Sequence, residues 1–324
     1  MVTRRRLLAC AALSPVLLRT HAWGADAWPQ RQVRIVVPFA AGGNTDGIAR
    51  VIGQNLSTSL GAPFVVENKP GADGAIAAEA VKVATADGYT LFMAALPQIA
   101  IFPAMTKVSY DPVKDFAPIS NVGSNPFALV VHPSFPAANL QELVAYVRAK
   151  PGEITFASGG TGSLGHLSMV LFAKRAGLEM THVPYKGGGP AIADVIAGHV
   201  PIYFANLSEA LPQVKGGTLR AMAVSSDART RQLPDVPTVA ESGYPGFHTV
   251  TWNGLMAPAA TPKPIVNLLS EAVAKAVKDA AVTDKLLGYG VEPVGDDPEH
   301  FAATIATDIA TWGEAIKLAG VTLQ

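Results

Sequence analysis

Three segments of the sequence carry the residue types that hold small anions: glycines that bare backbone N–H groups, with hydroxyl side chains beside them. The first is Pro38-Phe39-Ala40-Ala41-Gly42-Gly43-Asn44-Thr45-Asp46. Paired glycines permit positive φ and close approach of a ligand to the main chain. N–H groups at a helix start attract negative charge, and Asn44 or Thr45 can cap that helix. The spacing fits neither G-x-G-x-x-G nor a phosphate-binding loop ending in Gly-Lys-Ser/Thr, so a plain strand-to-helix turn is the competing reading. The second segment is Ala157-Ser158-Gly159-Gly160-Thr161-Gly162-Ser163-Leu164-Gly165-His166. Its hydroxyls are Ser158, Thr161 and Ser163. Residues 161–165 nearly match a hydrolase nucleophile elbow, but Thr161 stands where that motif needs glycine. His166 falls within one turn of Ser163, too near to be a distant base, and Ser163 reads more simply as a helix cap. The third is Val183-Pro184-Tyr185-Lys186-Gly187-Gly188-Gly189-Pro190, where Lys186 either offers a cation or is a solvated loop lysine.

All three segments join a strand to a helix. Val33 to Phe39 is an apolar strand, Ile48, Val51, Ile52 and Leu56 follow at helical spacing, and Gly61 stops the helix. Short strands at 64–66 and 90–94 flank a helix at 75–84. That β-α-β-α-β order predicts a parallel sheet. The pattern restarts with strands at 128–131, 154–157, 181–183, 202–204 and 219–224, separated by helices at 140–148, 164–171 and 191–197. Two amphipathic helices at 264–278 and 301–316 close the chain. The second carries Phe301, Ile305, Ile309, Trp312 and Ile316 on one stripe and is expected on the first lobe. Two α/β lobes follow: residues 28–126 with 250–324, and residues 127–249. The chain crosses near 123–127 and returns near 249–258. Two crossovers are the connectivity of a hinged binding protein with its ligand between the lobes. In parallel sheets the strand-to-helix loops lie at the carboxyl ends of the strands, where ligands bind. Two such loops facing across a cleft offer many neutral donors and few acceptors, which suits a carboxylate.

The N-terminus is of another kind. Arg4, Arg5 and Arg6 precede a mostly apolar stretch of 12 residues, Leu7 to Leu18, and then a region of small residues. This is the plan of a secretory signal peptide over residues 1–24, cleaved after 24 or 27, and loosely of a twin-arginine export signal. The expected location is the periplasm. Over the whole chain of 324 residues, 25 basic side chains balance 25 acidic ones, and there is a single cysteine. This excludes a disulfide scaffold and argues against a nucleic-acid binder. Cleavage after Gly24 removes four arginines and Cys10, leaving 21 basic residues against 25 acidic. Anion capture must therefore be local rather than driven by overall charge. The seven histidines show no ligating spacing, His182 reads as a satisfied strand residue, and no metal or cofactor is expected.

The chain resembles the substrate-binding proteins of tripartite tricarboxylate transporters, the Bug receptors. The resemblance rests on colinear motifs: residues 38–46 with Ala49-Arg50, Val66-Glu67-Asn68-Lys69-Pro70-Gly71-Ala72, Ala86-Asp87-Gly88-Tyr89-Thr90-Leu91, residues 110–118, His182-Val183-Pro184-Tyr185-Lys186-Gly187, residues 233–238 and Ala257-Pro258. It implies a two-lobed, Venus-flytrap periplasmic-binding-protein fold of mainly parallel sheets flanked by helices, binding small carboxylates without catalysis. By position it implies donors at Ala41, Gly42, Gly43, Asn44 and Thr45, with Asp46 supporting the loop. In the second lobe it implies Ser158, Thr161, Gly162 and Ser163 near His166, flanked by Lys186 and Gly187. Gln98 and Asn206 complete the candidate site. The implied partners are a small carboxylate and a membrane permease or a sensor protein, with the receptor a monomer and no nucleic acid involved. The family pattern is departed from at Pro201 and at Phe204-Ala205-Asn206, where acidic residues are usual, and at Ile99 and Phe102, where polar ones are. These departures disfavour a cationic amine on the ligand and favour a hydrophobic tail. The rival readings are a ligand-sensing partner of a signalling system and an exported α/β hydrolase with Ser163 as nucleophile.

Overall fold

A computed structural model describes residues 28–321, so the leader proposed for residues 1–24 and its export route lie outside the described residues. The first half runs β1 (Val33–Val37), α1 (Asn44–Leu60), β2 (Phe64–Asn68), α2 (Ala75–Lys82) and β3 (Thr90–Ala95). β1 pairs in parallel with both β2 and β3, as the alternating pattern predicts. Val33, Ile35 and Val37 point to one face, among Ile48, Ile52 and Leu56 of α1, while Val36 and Phe92 point to the other. That is the two-residue period of a strand covered on both sides. After β3 a wide helical turn, Pro97–Ile101, leads into α3 (Phe102–Met105).

β4 (Phe116–Val131) then carries the chain into the second half in 16 extended residues. α4 (Leu140–Arg148), β5 (Thr155–Ser158), α5 (Leu164–Ala176), β6 (Thr181–Pro184), α6 (Gly188–Ile196), β7 (Ile202–Asn206), α7 (Leu207–Lys215) and β8 (Arg220–Val224) follow. β5 pairs in parallel with β6 and β7. The chain returns along β9 (Val250–Pro258) and ends in α8 (Lys263–Ala276), α9 (Ala280–Gly288), β10 (Glu292–Pro293) and α10 (Pro298–Ala319).

The main path of the sheet reads β2-β1-β3-β9-β4-β7-β5-β6. This is the two-lobed α/β periplasmic-binding-protein architecture, with two refinements. First, the crossing segments are strands: β4 and β9 pair antiparallel from Phe116 opposite Pro258 to Pro126 opposite Val250. Parallel pairing is therefore confined to β2-β1-β3 and β6-β5-β7, and the strands that leave and return between them are necessarily antiparallel. Second, α10 packs against β4, α5 and the Pro97–Ile101 turn together, so it ties the halves to each other rather than serving the first alone. Its stripe of Phe301, Ile305, Trp312 and Ile316 is buried with Trp252, Phe172 and Phe204 in one core.

Candidate functional site

The first glycine-rich loop joins β1 to α1. Its centre is a carboxylate: buried Asp46 accepts from the Gly42 N–H at 2.9 Å, from Arg50 Nε at 3.0 Å and from Asn68 Nδ2 at 2.9 Å. Burial alone would raise the Asp46 pKa, but these hydrogen bonds and the Arg50 charge outweigh it and hold the carboxyl below its ordinary value. Asp46 thus supports the loop, and the Gly42 N–H is committed to it. The cap differs from expectation: Gly43 is the N-cap of α1 with no side-chain hydrogen bond. The Asn44 amide donates instead to Tyr289 O at 3.3 Å, and Thr45 is buried in the first turn. Ala41, Gly42 and Gly43 are exposed.

The second loop joins β5 to α5 and turns on Gly160 (φ 128°) and Gly162 (φ 80°), values open chiefly to glycine. Ser163 caps α5, its Oγ accepting from the His166 N–H at 3.3 Å. His166 Nδ1 in turn accepts from the Gly162 N–H at 3.1 Å. Ser158 is fully buried; its Oγ accepts from the Gly160 N–H at 3.1 Å and lies 2.6 Å from His182 Nε2. The two imidazoles stack with centroids 4.0 Å apart and a 16° tilt, and His182 also stacks on Phe156 at 5.0 Å. Burial, with the neighbouring His182 adding to it, pushes the His166 pKa down to about 4. Burial lowers that of His182 as well. Both rings are neutral near pH 7, as a ring nitrogen accepting from Gly162 requires. His182, read from sequence as a structural residue, is therefore a brace of the loop through Ser158.

The third loop is bonded to the second: the Gly187 N–H donates to Gly159 O at 3.1 Å and the Tyr185 N–H to Ser158 O at 3.0 Å. Lys186 is exposed. Asn206 caps α7, its Oδ1 accepting from the Ser208 N–H at 3.0 Å and from Ser208 Oγ at 2.7 Å. Gln98 is fully buried, and its carbonyl accepts from the Tyr110 hydroxyl at 2.6 Å.

A cavity of about 370 Å³ lies between the second loop and the segment after β3. One wall is Gly159, Gly160, Thr161, Gly162, Ser163 and Leu164; the facing wall is Pro97, Ile101, Phe102 and Met105. Thr161, Gly162 and Ser163 thus come together, while Ala41 to Thr45, Gln98, Lys186 and Asn206 lie outside its lining. Of the two apolar residues singled out from sequence, Phe102 lines the cavity and Ile99 is fully buried in the core. Met105 was missed as a lining residue, while Pro97 and Ile101 belong to the apolar segment 97–102, which follows the third strand and reads from sequence as facing the ligand. Their signal was the continuous apolar run after β3, which reads equally well as core.

Nothing here builds a hydrolase. The His166 ring is engaged with Gly162, and Ser163 is a cap, so Ser163 has no base aimed at it. Among the described residues no three His, Asp or Glu side chains gather as a metal site would require.

Residues 48–321 match the family described as "tripartite tricarboxylate transporter family receptor". Protein BugT of Bordetella pertussis is 37% identical over 302 residues, covering 93% of each chain. An R. palustris protein solved with adipate is 37% identical at a TM-score of 0.75, over 91% of this chain and 99% of that one. MatC of Rhodopseudomonas palustris, solved with bound malate, is 34% identical at a TM-score of 0.70, over 89% and 100%. A receptor, not an enzyme, is what the site geometry and these likenesses jointly describe: the chain belongs to the tripartite tricarboxylate transporter receptor family.

Proposed function

We propose that the protein is a periplasmic receptor that takes up a small carboxylate in the cleft between its lobes, residues 28–126 with 250–324 and residues 127–249. It then presents that ligand, as a monomer, to the membrane components of a tripartite transporter. The observation that carries the reading is the cavity walled by both halves, with a glycine-rich loop of neutral donors on one side. The adipate and malate bound to its relatives support a carboxylate as the occupant. The leader and the absence, among the described residues, of any helix long and apolar enough to cross a membrane support the location.

In this reading the loop meets the carboxylate chiefly with the backbone N–H and hydroxyl of Thr161. Their dipoles favour an anion without any cationic side chain in the wall. Closure then brings the exposed Ala41–Gly43 turn, with Asn44 and Thr45 behind it, toward the same ligand. It is stabilised only by contacts that the open form lacks. Isothermal titration calorimetry with a panel of mono-, di- and tricarboxylates tests this. Saturable one-to-one binding of at least one acid, weakened by Thr161→Val, is expected. A panel in which no acid binds overturns it.

A further inference from the structure

The cavity is chemically two-sided, and the two sides limit the ligand beyond its carboxylate. On the donor wall several polar groups are already committed: the Gly162 N–H to His166, the Ser163 N–H to Gly160 O, and Ser163 Oγ to the His166 N–H. Among the described residues, the amide and hydroxyl of exposed Thr161 enter no such bond. With the Gly159 and Leu164 amides, which also enter no such bond, these donors suit a carboxylate. The facing wall of Pro97, Ile101, Phe102 and Met105, continued by Leu164, has no polar side chain, and no lining residue carries a charge. An ammonium group brought in beside the carboxylate would find no carboxylate side chain among the lining residues and would lose hydration without return, whereas a hydroxyl could still donate to the Thr161 or Ser163 hydroxyl.

We propose that the ligand is a carboxylic acid without an amino group, whose hydrocarbon chain is laid against Pro97, Ile101, Phe102 and Met105. This excludes the α-amino acids as preferred ligands. The inference rests on the receptor reading above and narrows its substrate class. A cavity of about 370 Å³ has room for a chain of several carbons.

Calorimetry with two homologous series decides it: succinate, glutarate, adipate and pimelate, and butanoate, hexanoate and octanoate. Aspartate and glutamate are the amino-substituted comparators. Each methylene moved from water onto the apolar wall is expected to tighten binding by about fourfold until the cavity is full. Aspartate should bind at least about tenfold more weakly than succinate. Phe102→Ala, at a half-buried position, should flatten the chain-length dependence to less than about twofold per methylene. The ligand-free melting temperature of that variant serves as the control for folding. Should it not fold, the series on the unaltered protein still decides. Affinity independent of chain length, or aspartate binding as tightly as succinate, overturns the inference while leaving the receptor reading in place. Failure of every acid to bind overturns both.

Discussion

Asp308 lies on α10, the helix that joins the two halves, and Asp308→Asn measures what its burial costs. Trp252, on the returning strand β9, donates from Nε1 to Asp308 Oδ2 at 2.7 Å, and Asp308 is only 6% exposed. Burial pushes the carboxyl up from its ordinary 3.8 to about 6, against the lowering effects of the Trp252 hydrogen bond and of His248. The folded value lies above the unfolded one. The stability that Asp308 contributes is therefore present in full below about pH 4 and lost as the pH rises through about 6. The gap between the two values corresponds to about 3 kcal/mol. The asparagine amide keeps an oxygen to accept from the indole and cannot ionise. Urea unfolding of the two proteins, followed by circular dichroism and tryptophan fluorescence, gives their stability difference at each pH. Asp308→Asn should gain on its parent by about 3 kcal/mol between about pH 4 and pH 8, nearly all of it below about pH 7. His166 titrates in the opposite sense over much of the same range, so only the difference between the two proteins is diagnostic. A difference that stays level across the range would refute the reasoning, because Asp308 would then titrate alike folded and unfolded.

Three further outcomes follow from the loops. His166 has a folded pKa of about 4 against an ordinary 6.5, so its support for the fold is complete above about pH 6.5 and is lost as the pH falls toward 4. His166→Asn, which keeps an acceptor for the Gly162 amide but cannot titrate, should remove about 3 kcal/mol of acid dependence from urea unfolding. Ser163→Ala deletes the α5 cap and should cost about 1 kcal/mol in the same assay; the parent should hydrolyse no model ester, and detectable turnover abolished by the substitution would contradict the receptor assignment. Asp46→Asn removes the charge that Arg50 pairs with at 2.9 Å and weakens the hold on the Gly42 amide. A loss of about 1–2 kcal/mol in stability is expected, together with faster hydrogen exchange at residues 40–44 by mass spectrometry. Unchanged exchange there would show that Asp46 does not set the loop's shape.

The parts of the fold that could be read from the residues are those in which local chemistry and tertiary burial agree. β1 and α1 were legible because an apolar run gives way to a helical period that ends at Gly61, whose φ of 72° makes it a left-handed cap. β9 reads from sequence only as the returning crossover, and Asn253 and Gly254 interrupt its apolar run. Gly254 is there for a long-range reason: a Cβ would lie 2.1 Å from the ring of Phe301. α7 gives a weak helical signal in the sequence, since it holds Pro212 inside it and proline reads as a breaker. The glycine-hydroxyl loop at 158–163 was visible from composition. The partners that shape the loops were not, because they are remote in sequence: Asn68 for Asp46, Tyr289 for Asn44 and His182 for Ser158. The apolar wall was half visible. Phe102 was singled out correctly, but Ile99 is turned into the core, and the side that each residue takes on a wide helical turn depends on packing against α10.

These pieces explain how a chain with no basic excess can hold an anion. Each charge buried near the first loop is already answered within the fold, Asp46 by Arg50. Under the second loop the bracing groups are two stacked imidazoles kept neutral by burial. A cation in either place would bind a carboxylate more strongly, but it would also attract any other anion and would carry a desolvation cost in the empty cleft. In the proposed reading, the Thr161 N–H and hydroxyl, carried on a loop fixed by Gly160, Gly162 and the Ser163 cap, attract a carboxylate with partial charges only. The rest of the selectivity then falls to shape and to the apolar wall. In the proposed reading the glycines that make the loop possible and the histidines that hold it are parts of one device, and the choice among carboxylates is made across the cavity, at Ile101, Phe102 and Met105.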